Sequence, residues 1–236
     1  MLPRIAIPKY DMIVPSTGKS ITYRPYVVKE EKLLLIALES EDEKQIEGAI
    51  SEVIEACLDN KVKVKDLTSF DIEFIFLTLR AQSVGEGIKL NIPCANTECE
   101  TKNEFKIDLN KLEVKNNDFD EKDLQVKITD DVTLDLRWPT MGDRSIEGLS
   151  TNTEAIIHMT AKSIGTLYNG EEIIAMKDTP HDEIVEFVES LSSEQFNKII
   201  GILLKTPYCG YDIKFTCTKC GEENERELKG LSDFFQ

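Results

Sequence analysis

Apolar and polar residues recur at spacings that predict where strands and helices lie. Alternating apolar residues on both sides of a Pro-Ser-Thr-Gly-Lys turn predict a β-hairpin over residues 10–26. The run from Leu33 to Leu38 is apolar throughout, which predicts a helical segment buried on most sides. Apolar residues at helical spacing over 46–58 predict a second helix, and the capping-box spacing of Ser40 and Glu43 predicts its start.

The rest of the chain alternates between predicted helices and short predicted hairpins. A helix is predicted over 69–83, and strand-like alternation follows over 88–109 around a pair of cysteines. The later signals, in chain order, are a hairpin turning at Asp130–Asp131, a helix over 153–163, a hairpin turning at Asn169–Gly170, a helix with Pro180 at its first position, a helix with a capping box at Ser192 and Gln195 that ends near Lys205, and a strand from Tyr211.

This order of elements predicts an α+β protein, built from helices, short antiparallel β-hairpins and a split, zinc-ribbon-like cysteine site. We expect three regions. Residues 1–87 form an N-terminal hairpin plus helices, residues 88–109 and 211–236 together form the split zinc ribbon, and residues 110–210 form an inserted β-hairpin and helical region.

Four of the six cysteines form two pairs in matching local frames. Cys94 and Cys99 are separated by four residues, Cys217 and Cys220 by two, and each pair lies between two strand-like segments. This arrangement is typical of the knuckles of a zinc ribbon, in which two loops together supply four tetrahedral thiolates. Because four protein ligands leave no open coordination position, the predicted cofactor is one structural Zn²⁺ held by all four residues.

Other interpretations of the cysteines remain open. A Cys-x-x-Cys pair can be redox-active, but that motif normally opens a helix, whereas Gly221 and a polar strand follow here. Buried thiols can also pack as small apolar groups without binding a metal. We expect this role for Cys57, which falls on an apolar helix face, and for Cys209, although Cys209 could replace one of the four proposed ligands.

The charge of the chain narrows the classes of partner. Among 236 residues, 44 are acidic and 28 basic, for a formal net charge of −16. Nucleic-acid and anionic membrane surfaces require clustered cations, so neither is an expected partner, while basic protein partners are favoured. The two cysteine segments are themselves slightly acidic, with three positive and four negative residues over 89–108 and four and five over 211–229. A nucleic-acid-binding zinc ribbon should be basic there.

The sequence offers no convincing catalytic or transport motif. Gly18-Lys19-Ser20 resembles the end of a phosphate-binding loop, but the glycine required five residues earlier is replaced by Ile13, and a strand follows instead of a helix. His158 and His181 have no neighbouring nucleophile in sequence. No apolar run reaches membrane-spanning length, and the N-terminus lacks a signal-peptide pattern. We therefore expect a non-enzymatic, cytosolic protein without a small-molecule substrate.

Several segments resemble the T4-like bacteriophage baseplate hub proteins, a family of hub subunits and hub assembly proteins. The resemblance spans the chain and is carried by Leu2-Pro3, Pro8-Lys9-Tyr10, Val14-Pro15-Ser16-Thr17-Gly18-Lys19, Tyr23-Arg24-Pro25-Tyr26-Val27-Val28-Lys29-Glu30-Glu31-Lys32, Ala37-Leu38-Glu39-Ser40, Cys217-Thr218-Lys219-Cys220-Gly221-Glu222 and Gly230-Leu231-Ser232-Asp233-Phe234-Phe235.

The resemblance implies a structural or assembly protein of the central baseplate hub of a contractile phage tail. Its partners would be other baseplate and tail proteins, and its location the host cytoplasm during assembly or the baseplate of the virion. The alternatives are a tail or tape-measure assembly chaperone absent from the virion, a zinc-ribbon nucleic-acid-binding module, and a metalloenzyme with a displaced cysteine ligand. The last of these lacks a candidate general base near the cysteines in sequence.

Overall fold

Helices and small antiparallel sheets make up the two units into which the chain divides. A computed structural model of the protein describes residues 5–59, 61–118, 121–144 and 152–234, so Leu2, Pro3 and Phe235 of the family-like segments lie outside the described residues. The first unit comprises Met1–Val64, Phe70–Lys115 and Tyr208–Gln236, and the second comprises Lys65–Ser69 and Asn116–Pro207. The expected α+β class is confirmed.

The first unit combines three long helices with three small sheets. Its elements are β1 (Tyr10–Ile13), β2 (Ser20–Tyr23), α1 (Val28–Glu39), α2 (Glu43–Cys57), α3 (Ser69–Val84), β3 (Gly87–Pro93), β4 (Lys102–Asp108), β5 (Glu113–Lys115), and, after the second unit's residues, β10 (Tyr208–Thr216), β11 (Glu223–Lys229) and α8 (Gly230–Asp233). β1 pairs with β2, β3 with β4, and β10 lies between β11 and β5, all antiparallel.

The core of the first unit is formed by α3 and the inward residues of two hairpins. Ile88, Leu90 and Ile92 alternate inward along β3, as a half-buried strand requires. They cluster with Leu77 of α3 and Ile213 of β10, both fully buried. The two hairpins that carry the cysteine pairs are therefore anchored in one apolar core, although they lie far apart in sequence.

The second unit places helices against a four-stranded sheet. Its elements are β6 (Gln125–Lys127), β7 (Val132–Leu136), α4 (Met141–Arg144), α5 (Asn152–Ser163), β8 (Ile164–Asn169), β9 (Glu172–Ala175), α6 (His181–Glu189) and α7 (Ser193–Leu203), with strand order β6-β7-β8-β9. The predicted β8–β9 hairpin is present, but its turn lies one residue later than Asn169–Gly170: Asn169 still pairs with Glu172, and Gly170, at φ 61°, takes the first turn position. No helix in the described ranges is both long and apolar enough to span a bilayer.

An ion pair between the partly exposed Arg137 and the buried Asp143 stabilises the second unit between β7 and α4. Arg137 donates two hydrogen bonds to the carboxylate of Asp143, at 2.7 and 3.0 Å, and the Thr140 amide donates another at 2.8 Å. Burial alone would raise the pKa of Asp143, but these donors hold it below its ordinary value. The carboxylate is therefore charged and satisfied inside the unit.

The prediction that residues 33–38 are buried on most sides is wrong. Within this stretch of α1 only Ala37 is buried, whereas Leu35 and Ile36 are 54% and 53% exposed. The helix packs on α2 through part of its surface only, because a helix presents successive residues in all directions around its axis. A continuous apolar run therefore cannot place every residue against a single neighbouring element.

Two helices begin at residues other than the predicted ones. The cap of α2 is Asp42, whose carboxylate accepts hydrogen bonds from the amides of Lys44 and Gln45, instead of Ser40. Ser40 ends α1, its hydroxyl donating back to the Ala37 carbonyl at 2.6 Å. Similarly, Pro180 is the residue before α6 and not its first helical residue. The capping box at the start of α7 is confirmed.

Candidate metal centre

The two cysteine pairs occupy equivalent turns at the ends of two hairpins. In the turn between β3 and β4, the Cys94 amide donates to the Thr101 carbonyl at 2.9 Å. In the turn between β10 and β11, the Cys217 amide donates to the Glu222 carbonyl at 2.8 Å. The residue after the second cysteine of each pair has a positive φ, 47° at Glu100 and 75° at Gly221.

The four sulfur atoms form one compact cluster. The Sγ atoms of Cys94 and Cys220 are 3.6 Å apart, those of Cys99 and Cys217 are 3.7 Å apart, and all four lie within 4.8 Å of one another. Each of these pairs joins the two knuckles. Disulfide sulfurs are about 2.05 Å apart, so the four residues are free thiols. A tetrahedron with metal–sulfur bonds of about 2.3 Å has edges of about 3.8 Å, close to the shortest separations.

One side of the cluster is buried and the other faces solvent. Cys99 and Cys217 are 5% and 3% exposed, Cys94 is half-buried, and Cys220 is exposed. The exposed Cys220 gives solvent access to the sulfur cluster. A metal ion could therefore enter without unfolding the first unit, while water is excluded from two of the four sulfurs.

Two buried asparagines connect each knuckle to the other. Asn103 of β4 accepts hydrogen bonds from the amide and hydroxyl of Thr218, both at 3.0 Å, and its amide group donates to Cys217 Sγ at 3.6 Å. Asn224 of β11 accepts from the Ala95 amide at 2.6 Å. Each asparagine therefore reaches across to the opposite cysteine loop, and the two crossings position the loops face to face.

The sequence-based prediction of the site does not include these two asparagines, although their spacing from the cysteines is a signal for them. Asn103 follows Cys99 by four residues, and Asn224 follows Cys220 by four residues. The equivalent spacing matches their equivalent roles in the two hairpins. Both are nearly fully buried, at 5% and 6% exposure, which is uncommon for asparagine unless it is hydrogen-bonded.

Hydrogen-bond donors and neighbouring thiols make the four cysteines unequal. The amides of Cys220 and Lys219, followed by Asn103, lower the pKa of Cys217 to about 6. The Glu222 amide acts in the same direction on Cys220, but local desolvation of its sulfur and the neighbouring thiols outweigh it and raise the pKa of Cys220 to about 12. Negative charge on one sulfur disfavours ionisation of the next, so a bound cation is needed before all four become thiolates.

Comparison with known proteins identifies the family. The profile of the family described as T4 bacteriophage base plate protein matches residues 7–236. The chain belongs to this family. The resemblance to T4-like baseplate proteins in the sequence is thereby confirmed. The chain is also 25% identical over 232 residues to "Baseplate hub assembly protein gp26" of Enterobacteria phage T4, covering 97% of each chain. No solved structure matches the chain.

The two remaining cysteines of this base plate family member lie outside the sulfur cluster. Cys57 is 1% exposed in α2, and burial raises the pKa of its thiol to about 11. Cys209 is fully buried in β10, where its amide donates to the Glu73 carboxylate at 3.0 Å and burial raises the pKa of its thiol. Both have the core environment expected of packing residues, and Cys209 does not join the four-cysteine cluster.

The two histidines of the base plate protein lie together in its second unit, whose sequence contains no cysteine. His158 Nδ1 and His181 Nε2 are 2.9 Å apart, which requires one nitrogen to donate and the other to accept. Burial, with the nearby charges of Lys162 and His158, lowers the pKa of His181. His181 is therefore packed against His158. Its sequence position, in the first turn of a helix beside acidic residues, does not predict this contact.

Proposed function

We propose that this chain is a non-enzymatic assembly protein of the central baseplate hub of a contractile phage tail, stabilised by one structural Zn²⁺. The observation that carries the proposal is the family match over residues 7–236, together with the likeness to a protein named for baseplate hub assembly. Other baseplate and tail proteins are its proposed partners. The excess of acidic residues is consistent with protein partners and opposes nucleic acid.

The proposed zinc ligands are Cys94, Cys99, Cys217 and Cys220. Sulfur separations near the edge of a tetrahedron and an all-thiolate donor set favour Zn²⁺ over Mg²⁺ or Ca²⁺, which prefer oxygen ligands. Bound there, the metal would supply a crosslink between residues 88–109 and residues 211–229, the two parts of the proposed split ribbon. The intervening segment between Cys99 and Cys217 has 117 residues, so the crosslink would remove considerable freedom from the unfolded chain.

A structural role for the metal is proposed because the donor set is closed. Four thiolates complete a tetrahedron and leave no position for a substrate or an activated water molecule. Asn103 and Asn224, the polar groups that cross between the knuckles, hold backbone amides and cannot act as general bases. The site is suited to holding two hairpins together, which is the requirement of an assembly protein that presents a defined surface to its partners.

Deletion of this chain from its phage tests the assembly role. We expect infected cells to accumulate tail fibres, sheath and capsid proteins but few complete baseplate hubs, with recovery when the chain is supplied from a plasmid. Normal hub yield in the deletion would contradict the proposal. Mass spectrometry of purified tails and of assembly intermediates separates the two versions of the role. A hub subunit is present in both, whereas an assembly factor or tape-measure chaperone is present only in intermediates.

Elemental analysis of the purified, reduced protein tests the metal. We expect about one zinc per chain. Absence of stoichiometric zinc would contradict the metal assignment without affecting the assembly role, because the deletion experiment measures that role independently. Growth in zinc-depleted medium should give protein with less metal and a less stable first unit, and added Zn²⁺ should restore both.

A further inference from the structure

An apolar groove lies on the surface of the first unit between α1, α2 and α3. Its apolar lining comes from all three helices and includes Leu35 and Leu38 of α1, Ile46 and Ile50 of α2, and Phe76 and Val84 of α3. The proposed zinc ligands belong to other elements of the unit and do not line it. The groove is therefore separate from the cysteine site, and its apolar lining has no role in holding the proposed metal.

Large apolar side chains remain exposed along this groove. Leu35 is 54% exposed, Val84 55% and Leu38 39%, and all three border the same concave surface. Single exposed apolar residues are ordinary, but contiguous ones around a concave surface mark a binding site. No element in the described part of the chain covers this side of α1, which is why its apolar run is exposed where burial was predicted.

Two charged side chains line the groove, Glu31 of α1 and Arg80 of α3, and the arginine indicates the chemistry of the occupant. Arg80 of α3 lines the groove, and its Nη1 atom is buried without a hydrogen-bond partner among the described residues. A buried guanidinium nitrogen without an acceptor is costly, and a carboxylate is the acceptor whose geometry matches it best. In a chain with a net charge of −16, a guanidinium nitrogen left without an acceptor in a mostly apolar groove is well placed to select an acidic group on the partner.

We propose that this groove binds an amphipathic helix of another baseplate protein, whose apolar side chains fill the groove and whose carboxylate pairs with Arg80. A groove between helices accepts a helix whose apolar residues recur at helical spacing, and one charged pair fixes its register. This proposal deepens the assembly role and rests on it. A second copy of the chain is a poorer occupant, because two chains of charge −16 repel each other.

Site-specific crosslinking identifies the occupant. A photo-activated crosslinking amino acid replaces Leu35 in the full-length protein, which is produced in cells infected with phage lacking the chain. We expect crosslinks to a helical segment of one other baseplate protein, with an Asp or Glu among its apolar residues. The control is the same substitution at Val28, which is 79% exposed on α1 but does not line the groove. Crosslinks to a second copy, or no more product than from Val28, would overturn the proposal.

Charge reversal then tests the role of Arg80. Binding of the purified protein to a peptide spanning the crosslinked helix should weaken at least tenfold in Arg80→Glu and in Leu35→Asp, since loss of a central charged or apolar contact typically has this effect. Val28→Asp introduces the same charge on the same helix and should leave binding within twofold. Lysine in place of the peptide carboxylate should restore binding to Arg80→Glu. Failure of this rescue, with helix content and zinc content unchanged, would exclude the charged pair.

Different results would refute the assembly role and the binding of a helix in the groove. Normal hubs without the chain would refute the assembly role. If hubs require the chain but Leu35→Asp supports hub formation as well as the wild type and Val28→Asp do, the assembly role stands and the groove is not its docking surface.

Discussion

Replacement of Asn103 by alanine tests whether the crossing hydrogen bonds organise the cysteine cluster. The side chain is 5% exposed and joins β4 to the opposite knuckle. It accepts two hydrogen bonds from Thr218 at 3.0 Å and donates one to Cys217 Sγ at 3.6 Å. The same amide group also donates to the Thr101 carbonyl at 3.5 Å. Asn103→Ala removes all four contacts without adding a charge or a larger side chain.

The expected effect follows from those contacts. Each of the two shorter hydrogen bonds contributes about 1 kcal/mol, so the first unit should lose about 2 kcal/mol of unfolding free energy. Loss of the donor to Cys217 Sγ and of the loop alignment should also weaken zinc binding by about 10- to 100-fold, the usual effect of removing a group that orients a metal ligand. In metal-free protein the pKa of Cys217 should rise from about 6, because one group that stabilises the thiolate is gone.

Three measurements compare the wild type with Asn103→Ala and with a control variant, Asn91→Ala. Denaturant unfolding of zinc-loaded and metal-free samples reports stability, competition with a chromophoric chelator reports zinc affinity, and ultraviolet absorbance of thiolate against pH reports ionisation. Asn91→Ala is the matched control, because Asn91 lies on the paired strand of the same hairpin with its side chain exposed. It should change none of the three quantities appreciably.

Two results would refute this reasoning. If Asn103→Ala retains wild-type zinc affinity and stability, the crossing contacts do not organise the site. If Asn91→Ala weakens both as strongly, the effect belongs to the hairpin in general and not to the contact across the knuckles.

Three further predictions concern the metal, pH and nucleic acid. Cys217→Ser should lower both zinc content and thermal stability, whereas Cys57→Ala should leave zinc content unchanged by elemental analysis; full zinc retention at wild-type affinity in Cys217→Ser would disprove the ligand assignment. The pKa of Asp143 is lower in the folded protein than its ordinary 3.8, so its stabilising effect is present above that value and declines as the pH falls through the folded value. Asp143→Asn should therefore reduce stability at pH 7 and weaken its acid dependence in unfolding curves from pH 7 to 2; equal pH slopes would contradict the ion pair with Arg137. In gel-shift assays at physiological salt we expect no duplex DNA binding, and tight binding would contradict the argument from charge.

The sequence determined most of the local structure because the signals involved are local. Period-two alternation indicated the paired strands at residues 10–23 and 88–108, and the helical spacing over 69–83 indicated α3 within one residue. The capping box of α7 was readable for the same reason, since its donor and acceptor are three residues apart. The matching frames of the two cysteine pairs also pointed to one shared site, which the sulfur cluster now makes geometrically possible.

Tertiary structure decided which of several possible contacts formed. Ser40 and Asp42 can both cap a helix, and the choice depended on how α1 ends. β5, a three-residue strand, exists because it pairs with β10 about 95 residues away, a contact that local spacing does not indicate. The exposure of α1 and the crossings by Asn103 and Asn224 likewise depend on packing between distant segments. Local spacing specifies which face a side chain occupies, but only the assembled core specifies what that face meets.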